Sequence, residues 1–185
     1  MFLRREGTNP RNSRLIFITG GARSGKSRFA LGLAQGTSFR NRIYVATGVA
    51  CDAEMRRRIT RHRQERKNGW LTLEEPRYLP EKLPKRYLSS GNLILLDCLA
   101  AFVTNLLLSK IPHAAIEKRA KHLLATLRHP GLTSILVSNE VGLGLVPDHP
   151  LGREFRDILG RVNQHAASHC DEVYFLVSGI PMRLK

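Results

Sequence analysis

Short apolar runs occur along the chain at intervals of about twenty to forty residues. Most of them lack the alternation of polar and apolar residues that is typical of a strand with one exposed face. Continuous runs of this length are typical of strands that are buried on both faces. The pattern predicts strands over 15–19, 43–47, 93–96, 134–137 and 173–177, with a shorter strand or extended piece over 70–73.

Between these runs, apolar residues recur every three or four positions, which is the spacing of one helix face. The pattern predicts helices over 25–35, from 53 to about 67, over 100–109, from Pro112 and from Pro150. Residues 76–91, which contain Pro80 and Pro84, are predicted to form a surface connection. Strands alternating with helices indicate an α/β fold with a mostly parallel sheet and helices on both faces.

The first strand runs directly into the pattern Gly-x-x-x-x-Gly-Lys-Ser, and a helix follows, which is the context a phosphate-binding loop requires. Its residues are Gly20, Gly21, Ala22, Arg23, Ser24, Gly25, Lys26 and Ser27. Glycines allow backbone N–H groups to approach phosphate oxygens, and the helix start adds its positive dipole end. Lys26 can reach the terminal phosphates, and Ser27 can hold Mg²⁺. The fold class is therefore P-loop NTPase-like (RecA-like).

Ligands of parallel sheets bind at the carboxyl ends of the strands. That edge is predicted to collect the glycine loop, Thr47, Gly48, Asp97 and residues 138–140. The run 93–96 followed by Asp97 has the form of a strand that delivers an acid to Mg²⁺, although the same residue can cap the next helix. No Asn-Lys-x-Asp sequence that reads guanine is present, so the residues alone leave the base undecided.

His62 lies among arginines in the predicted helix that begins near residue 53, on the same face as Met55 and Ile59. One interpretation is a partly buried helix histidine. The other is a nucleophile, because neighbouring arginines disfavour the imidazolium and can hold phosphate oxygens by forked hydrogen bonds. The pattern alone favours the first interpretation.

The 185 residues carry a formal net charge of +15. The densest basic run, 56–67, has no interleaved aromatic residues, so we expect a polyanionic small ligand and no nucleic-acid binding. Cys51, Cys98 and Cys170 form no CxxC pair, and no apolar run is long enough to span a membrane. We expect one catalytic domain over 15–185, preceded by a flexible basic extension over 1–14.

Seven stretches together resemble one family. They are GGARSGKS at 20–27, YVAT at 44–47, DAEMRRRITRHRQER at 52–66, WLTLEEP at 70–76, LLDCL at 95–99, TNLL at 104–107 and SNEVGLGLVPDHPLGREFRDILGRVNQ at 138–164. The family is the bifunctional adenosylcobinamide kinase/adenosylcobinamide-phosphate guanylyltransferase of cobalamin biosynthesis. The resemblance covers nearly the whole chain after Arg14, and it reverses the preference for a structural His62.

The resemblance implies two reactions. ATP or GTP phosphorylates adenosylcobinamide, and His62 then takes GMP from GTP and passes it to adenosylcobinamide phosphate, giving adenosylcobinamide-GDP. It further implies a cytoplasmic homo-oligomer. Mg²⁺ is expected as the cofactor because of Ser27 and Asp97, whatever the family. Besides the glycine loop, the residues that fall where the family binds nucleotide are Ala46, Thr47, Gly48, Arg63, Gln64, Glu65, Arg66, Glu74 and Asp97.

Two other classes remain open at this point. One is a monofunctional small-molecule kinase that keeps the glycine loop without using His62. The other is a P-loop ATPase that acts as a switch or as a nucleic-acid-binding module. Residues 138–147 are predicted either to form a substrate-side loop or to be an ordinary strand-to-helix connection.

Overall fold

A seven-stranded sheet forms the centre of the computed structural model, which describes residues 13–35, 38–66 and 69–185. The strands are β1 (Arg14–Gly20), β2 (Arg42–Ala46), β3 (Trp70–Glu74), β4 (Leu93–Asp97), β5 (Thr133–Val137), β6 (Glu172–Val177) and β7 (Ile180–Arg183). Their order is β3-β2-β4-β5-β1-β6-β7. All neighbours pair in parallel except β6 and β7.

In the described part of the chain, five α-helices connect and cover the strands. They are α1 (Lys26–Gln35), α2 (Ala53–Glu65), α3 (Leu99–Leu108), α4 (His113–Leu127) and α5 (Pro150–His169). A short 3-10 helix covers Lys85–Tyr87. Within the described residues, no helix combines the length and the apolar character needed to cross a membrane.

The two faces of the sheet are covered unequally. Alternate strand residues such as Phe17 and Leu96 pack against α3, α4 and α5. Their neighbours in sequence, such as Ile16 and Leu95, face the opposite way and pack with Ala30 and Ala34 of α1. Because successive side chains of a strand point to opposite faces, continuous apolar runs are what a sheet covered on both sides requires.

The predicted strands and helices are confirmed to within a few residues at their ends. Strand β7 was not predicted, because it has only four residues, all exposed, and carries no buried apolar run. The interpretation of 76–91 as a surface connection was partly wrong, since Leu79 and Leu83 are buried in the main core. Pro80 and Pro84 obscured the four-residue spacing of those leucines.

Some predictions fall outside the described residues. They are residues 1–12 of the N-terminal extension predicted over 1–14, Gly36, at which the helix predicted over 25–35 was expected to stop, and the end of α2 near Lys67. Arg14, assigned to that extension, is the first residue of β1, and its guanidinium lies 2.6 Å from Glu172 of β6.

Candidate active site

The glycine loop follows β1 at the carboxyl edge of the sheet. Gly20 has φ 149°, and a Cβ there would lie 2.5 Å from the carbonyl oxygen of Leu176. Gly25 has φ 93°, and a Cβ there would lie 3.3 Å from Cα of Gly179. Residues with a side chain rarely adopt the backbone conformation of Gly20, and the contact with Leu176 leaves no room for a Cβ.

The turn between β6 and β7 supports this loop from one side. The N–H of Gly179 donates a hydrogen bond to the carbonyl oxygen of Ser24 at 3.0 Å. Inside the loop, Nζ of Lys26 donates to the carbonyl oxygen of Gly21 at 2.6 Å, and the Lys26 residue is only 7% exposed. Among the described residues, Oγ of Ser24 is one of two buried side-chain polar atoms that lack a hydrogen-bond partner. The loop thus contains a buried hydroxyl that a phosphate oxygen can satisfy.

Asp97 is the last residue of β4, and one of its carboxylate oxygens contacts three side chains. Its Oδ2 accepts hydrogen bonds from Oγ of Ser27 and from the hydroxyl of Tyr44, both at 2.9 Å. Nδ1 of His62 lies 3.5 Å from the same atom. Burial alone would raise the pKa of Asp97, but these neighbours outweigh burial and hold the pKa below its ordinary value. Asp97 therefore remains an anion in this buried position.

The contact between Tyr44 and Asp97 has the opposite effect on the pKa of Tyr44. Burial, together with the negative charge of Asp97 and the hydrogen bond to it, raises the pKa of Tyr44. The phenol therefore keeps its proton and serves as a donor to the carboxylate.

Helix α2 brings His62 to the edge of the sheet. The N-cap of the helix is Asp52, whose side chain accepts a hydrogen bond from the N–H of Met55 at 2.7 Å. One stripe of α2 is partly buried at positions spaced three and four apart, and it consists of Met55, Ile59, His62 and the C-cap Arg66. The imidazole, at 20% exposure, thus lies on the face of the helix that turns toward the sheet.

Two further contacts tie the end of α2 to the sheet. The guanidinium of Arg66 lies 3.7 Å from the centre of the Tyr44 ring. Arg63 pairs with Glu74 at the end of β3, and both side chains are about half exposed. The two arginines nearest to His62 in the following turn therefore already contact protein groups.

The segment that follows β2 is fixed against β4 and α3. Oγ1 of Thr47 donates to the carbonyl oxygen of Cys98 at 2.7 Å and accepts from the N–H of Cys98 at 2.9 Å. Asn105 donates from its side chain to the carbonyl oxygens of Thr47 at 2.8 Å and Pro76 at 3.1 Å. This arrangement places Ala46, which lies opposite Asp97 in the β2–β4 register, beside the acid.

The chain after β5 passes directly beside the glycine loop. The N–H of Glu140 donates to the carbonyl oxygen of Gly20 at 2.9 Å. Arg156 of α5 donates to the carbonyl oxygen of Gly142 at 3.0 Å. The apolar side chains that follow face solvent, with Leu143 and Leu145 81% and 97% exposed. A fixed backbone thus presents exposed apolar side chains at the carboxyl edge.

Much of the predicted nucleotide site comes together in space. The glycine loop, Asp97 and His62 meet through the atoms described above, and Arg66 joins them through Tyr44. Arg63 and Glu74 form a separate, more exposed pair, while Gly48 and Gln64 lie at exposed positions. The side chain of Glu65 lies outside the described part of the structure.

Tyr44 and Asn105 were not predicted from the sequence as members of the site. An aromatic residue with a hydroxyl group inside an otherwise aliphatic strand was a signal for Tyr44, since a buried phenol needs a hydrogen-bond partner. Asn105 carried a weaker signal, as a polar residue within the largely apolar helix α3.

The glycine loop, the acid that ends β4 and the parallel sheet define a P-loop nucleotide-binding α/β protein. Two solved structures share the fold: a prototypical ATPase from the type III secretion system of pathogenic bacteria, and the assembled ATPase EscN from the enteropathogenic E. coli type III secretion system. They match 90% and 91% of this chain, with TM-scores of 0.56 and 0.57 and sequence identities of 13% and 14%. The matched regions make up 51% and 43% of those longer chains, and the likeness concerns the fold alone.

Residues 16–184 match the model of the family described as cobinamide kinase / cobinamide phosphate guanyltransferase. The chain is 40% identical over 183 residues to the bifunctional adenosylcobalamin biosynthesis protein CobU of Escherichia coli K12, covering 92% of this chain and 99% of that protein. It is 45% identical over 168 residues to the bifunctional adenosylcobalamin biosynthesis protein CobP of Pseudomonas aeruginosa, covering 91% and 95%. The chain belongs to the cobinamide kinase / cobinamide phosphate guanyltransferase family.

Proposed function

We propose that this protein phosphorylates adenosylcobinamide and then attaches GMP to the product through a covalent intermediate on His62. The observation that carries the proposal is the position of Asp97, whose Oδ2 contacts both Ser27 of the glycine loop and His62 of α2. A triphosphate held by the loop would therefore lie within reach of the histidine. A kinase that made no use of His62 would not need this contact.

In the first reaction, the glycine loop holds the triphosphate of ATP or GTP. Lys26 leaves the carbonyl oxygen of Gly21 and binds the terminal phosphates, where its charge offsets the charge of the transferring group. The substrate hydroxyl oxygen forms a bond to the γ-phosphorus as the bond to the bridging oxygen breaks. The nucleoside diphosphate leaves, and the hydroxyl proton passes to solvent or to a basic group.

In the second reaction, His62 is the nucleophile. Asp97 faces Nδ1, so it favours the tautomer with the proton on Nδ1 and a lone pair on Nε2. Nε2 attacks the α-phosphorus of GTP, the bond to the β-phosphate oxygen breaks, and pyrophosphate leaves. A phosphate oxygen of adenosylcobinamide phosphate then attacks the same phosphorus, breaks the P–N bond and forms adenosylcobinamide-GDP. The covalent step divides one difficult transfer into two.

The residues present fit Mg²⁺. A hydroxyl oxygen from Ser27 and a carboxylate oxygen from Asp97 are 2.9 Å apart, and they are hard oxygen donors of the kind that Mg²⁺ binds together with phosphates. When bound, the ion would offset the charge that develops on the phosphate oxygens. Ser27 and Asp97 would hold it, and Asp97 would continue to orient His62.

The remaining predicted residues are proposed to bind the rest of the nucleotide. Arg63 and Arg66 supply positive charge beside the phosphates, and residues 46–48 lie at the end of β2 next to Asp97. Gln64 and Glu65 follow His62 on α2, and Glu74 would exchange its contact with Arg63 for one to the nucleotide.

The loop over 138–147 is proposed to receive the corrinoid. It is supported in this role by the hydrogen bond from the N–H of Glu140 to the glycine loop and by the exposure of Leu143 and Leu145. We further propose that the protein is cytoplasmic. We also propose that it is a homo-oligomer, because Ile180, Met182 and Leu184 place exposed apolar side chains along the edge of the sheet. Light scattering of the purified protein tests the oligomer.

The test of the proposed function separates the two reactions. Purified protein is incubated with adenosylcobinamide and γ-labelled ATP or GTP, and then with unlabelled GTP. We expect label to enter the corrinoid in the first stage and mass spectrometry to detect adenosylcobinamide-GDP in the second. A corrinoid that is phosphorylated but never receives GMP would indicate a monofunctional kinase. Failure of both stages would exclude the proposed function.

A further inference from the structure

Tyr44 joins the two parts of the site that the proposed function uses. Its hydroxyl donates to Oδ2 of Asp97 at 2.9 Å, and its ring lies 3.7 Å beneath the guanidinium of Arg66. The same ring packs against Trp70 of β3 in a T-shaped arrangement, with ring centres 6.2 Å apart and planes at 86°. The residue as a whole is 4% exposed.

Core packing alone does not require this residue to be tyrosine. Phenylalanine would fill the same space, whereas a buried hydroxyl without a hydrogen-bond partner would destabilise the folded protein. The partner here is the carboxylate oxygen that also faces Ser27 and His62. The hydroxyl therefore restricts the rotation of a group that both reactions depend on.

The ring contributes in a second way. Arg66 is the C-cap of α2 and lies four residues after His62, so its position fixes the last turn of the helix. A guanidinium over the face of a buried tyrosine is attracted by the ring quadrupole and by dispersion. Since Met55 and Ile59 of α2 are only partly buried, this contact is a substantial part of what holds the helix end against the sheet.

We propose that Tyr44 is a positioning residue for the guanylylation of His62. Its hydroxyl orients the Asp97 carboxylate toward the imidazole, and its ring holds Arg66 and with it the helix turn that carries His62. This inference rests on the proposed function. It assigns Tyr44 a greater effect on transfer of GMP to His62 than on phosphorylation of the corrinoid, because only the transfer of GMP has its nucleophile on α2.

The test measures the single-turnover rate of covalent labelling by α-labelled GTP, and kcat and KM of the kinase reaction. Tyr44→Phe keeps the ring and loses the hydroxyl, and we expect labelling to slow about 10-fold, as loss of one hydrogen bond to a charged group implies. Tyr44→Leu loses both contacts, and we expect labelling to slow by about 100-fold. Kinase kcat should change less than about threefold in the phenylalanine variant, because Ser27 still donates to Asp97.

A double-mutant cycle tests the ring contact directly. If the ring acts by holding Arg66, Arg66→Ala should slow labelling less in the Tyr44→Leu background than in the wild type, because part of the contribution of Arg66 is already lost there. If the two substitutions were independent, so that their effects on the labelling rate multiplied in full, this part of the proposal would be contradicted. Tyr87→Leu is the matched control, because it removes another arginine–tyrosine contact, the one with Arg86 at 5.0 Å, outside the site.

The outcomes distinguish this inference from the function on which it rests. Labelled wild type together with unchanged labelling in both Tyr44 variants would overturn the inference and leave the function intact. Equal losses in labelling and kinase turnover, matched by lower thermal stability, would show a merely structural role and overturn it as well. A wild-type protein that takes no label would overturn both.

Discussion

Nδ1 of His62 lies 3.5 Å from Oδ2 of Asp97, the same oxygen that accepts a hydrogen bond from Ser27 of the glycine loop. One carboxylate thus faces the proposed nucleophile on one side and the phosphate-binding loop on the other. The contact joins helix α2, which lies at the periphery, to the central part of the sheet.

Replacement of Asp97 tests the shared role of this carboxylate. Asp97→Asn keeps the size of the side chain but removes the charge that would hold Mg²⁺ and orient His62. We expect both the kinase turnover and the labelling of the protein by GTP to fall by about 100-fold or more. Asp157→Asn, an exposed change on α5, is the control. Normal guanylylation in Asp97→Asn would show that the contact with His62 has no function.

Lys26 tests the role of the glycine loop. Lys26→Ala removes the charge proposed to bind the terminal phosphates, and we expect kinase turnover to fall at least about 100-fold. Circular dichroism should show an unchanged fold, since the lysine contacts a loop carbonyl and no core side chain is altered. Lys118→Ala on α4, which changes an exposed lysine, should leave the rate unchanged. Unaltered turnover in Lys26→Ala would contradict the assigned role.

Gly20 tests the geometry of the loop itself. Gly20→Ala would place a Cβ 2.5 Å from the carbonyl oxygen of Leu176 at a φ of 149°, and we expect a loss of about 2 kcal/mol or more in the free energy of unfolding. Gly32→Ala in helix α1 meets no atom within 4 Å and should instead stabilise the protein by about 0.5–1 kcal/mol. Urea unfolding measures both. Equal stabilities of the two variants would contradict the described loop.

Glu172 gives a prediction about pH. Burial raises the pKa of this carboxyl, but hydrogen bonds from Arg14 and Tyr174 outweigh burial and hold the pKa below its ordinary 4.5. Because the folded-state pKa is lowered, the stabilisation is present above about pH 4.5 and is lost as the pH falls through the folded-state value. Glu172→Gln should therefore cost about 1–2 kcal/mol of unfolding free energy at pH 7, and the difference from wild type should shrink in acid.

A matched pair provides the control for this prediction. Arg161 and Glu117 join α5 to α4 at 2.7 Å, but the arginine is 46% exposed, and exposed ion pairs contribute little. Glu117→Gln should change the unfolding free energy by less than about 0.5 kcal/mol at any pH. A Glu172→Gln variant whose deficit grew as the pH fell would have the wrong sign and would contradict the assignment.

The sequence allowed the sheet and the glycine loop to be predicted because both depend on local patterns. Apolar runs identify buried strands, and Gly20 to Ser27 carry their spacing within eight residues. The contacts of Tyr44 with Asp97 and Arg66 could not be predicted in this way, since the three residues lie on β2, β4 and the end of α2. Their meeting depends on the strand order, which places β2 beside β4.

For helix α2, the sequence pattern predicted which residues share a face but not which group His62 contacts. Met55, Ile59 and His62 were correctly placed on one face, and that face does turn toward the sheet. The spacing gave no sign that the partner of His62 would be a carboxylate, because Asp97 lies 35 positions further along the chain. Strand β7 was missed for a related reason: its residues are exposed, and only pairing with β6 defines it.

The most direct test of the central claim is covalent labelling by GTP that carries its label on the α-phosphate. We expect the wild-type protein to acquire a label that is labile in acid and stable in base, as a histidine phosphoramidate would be. His62→Ala should take up none while still phosphorylating adenosylcobinamide, and His122→Ala, an exposed histidine of α4, should be labelled like wild type. Equal labelling of His62→Ala, or no label on the wild type, would contradict the account.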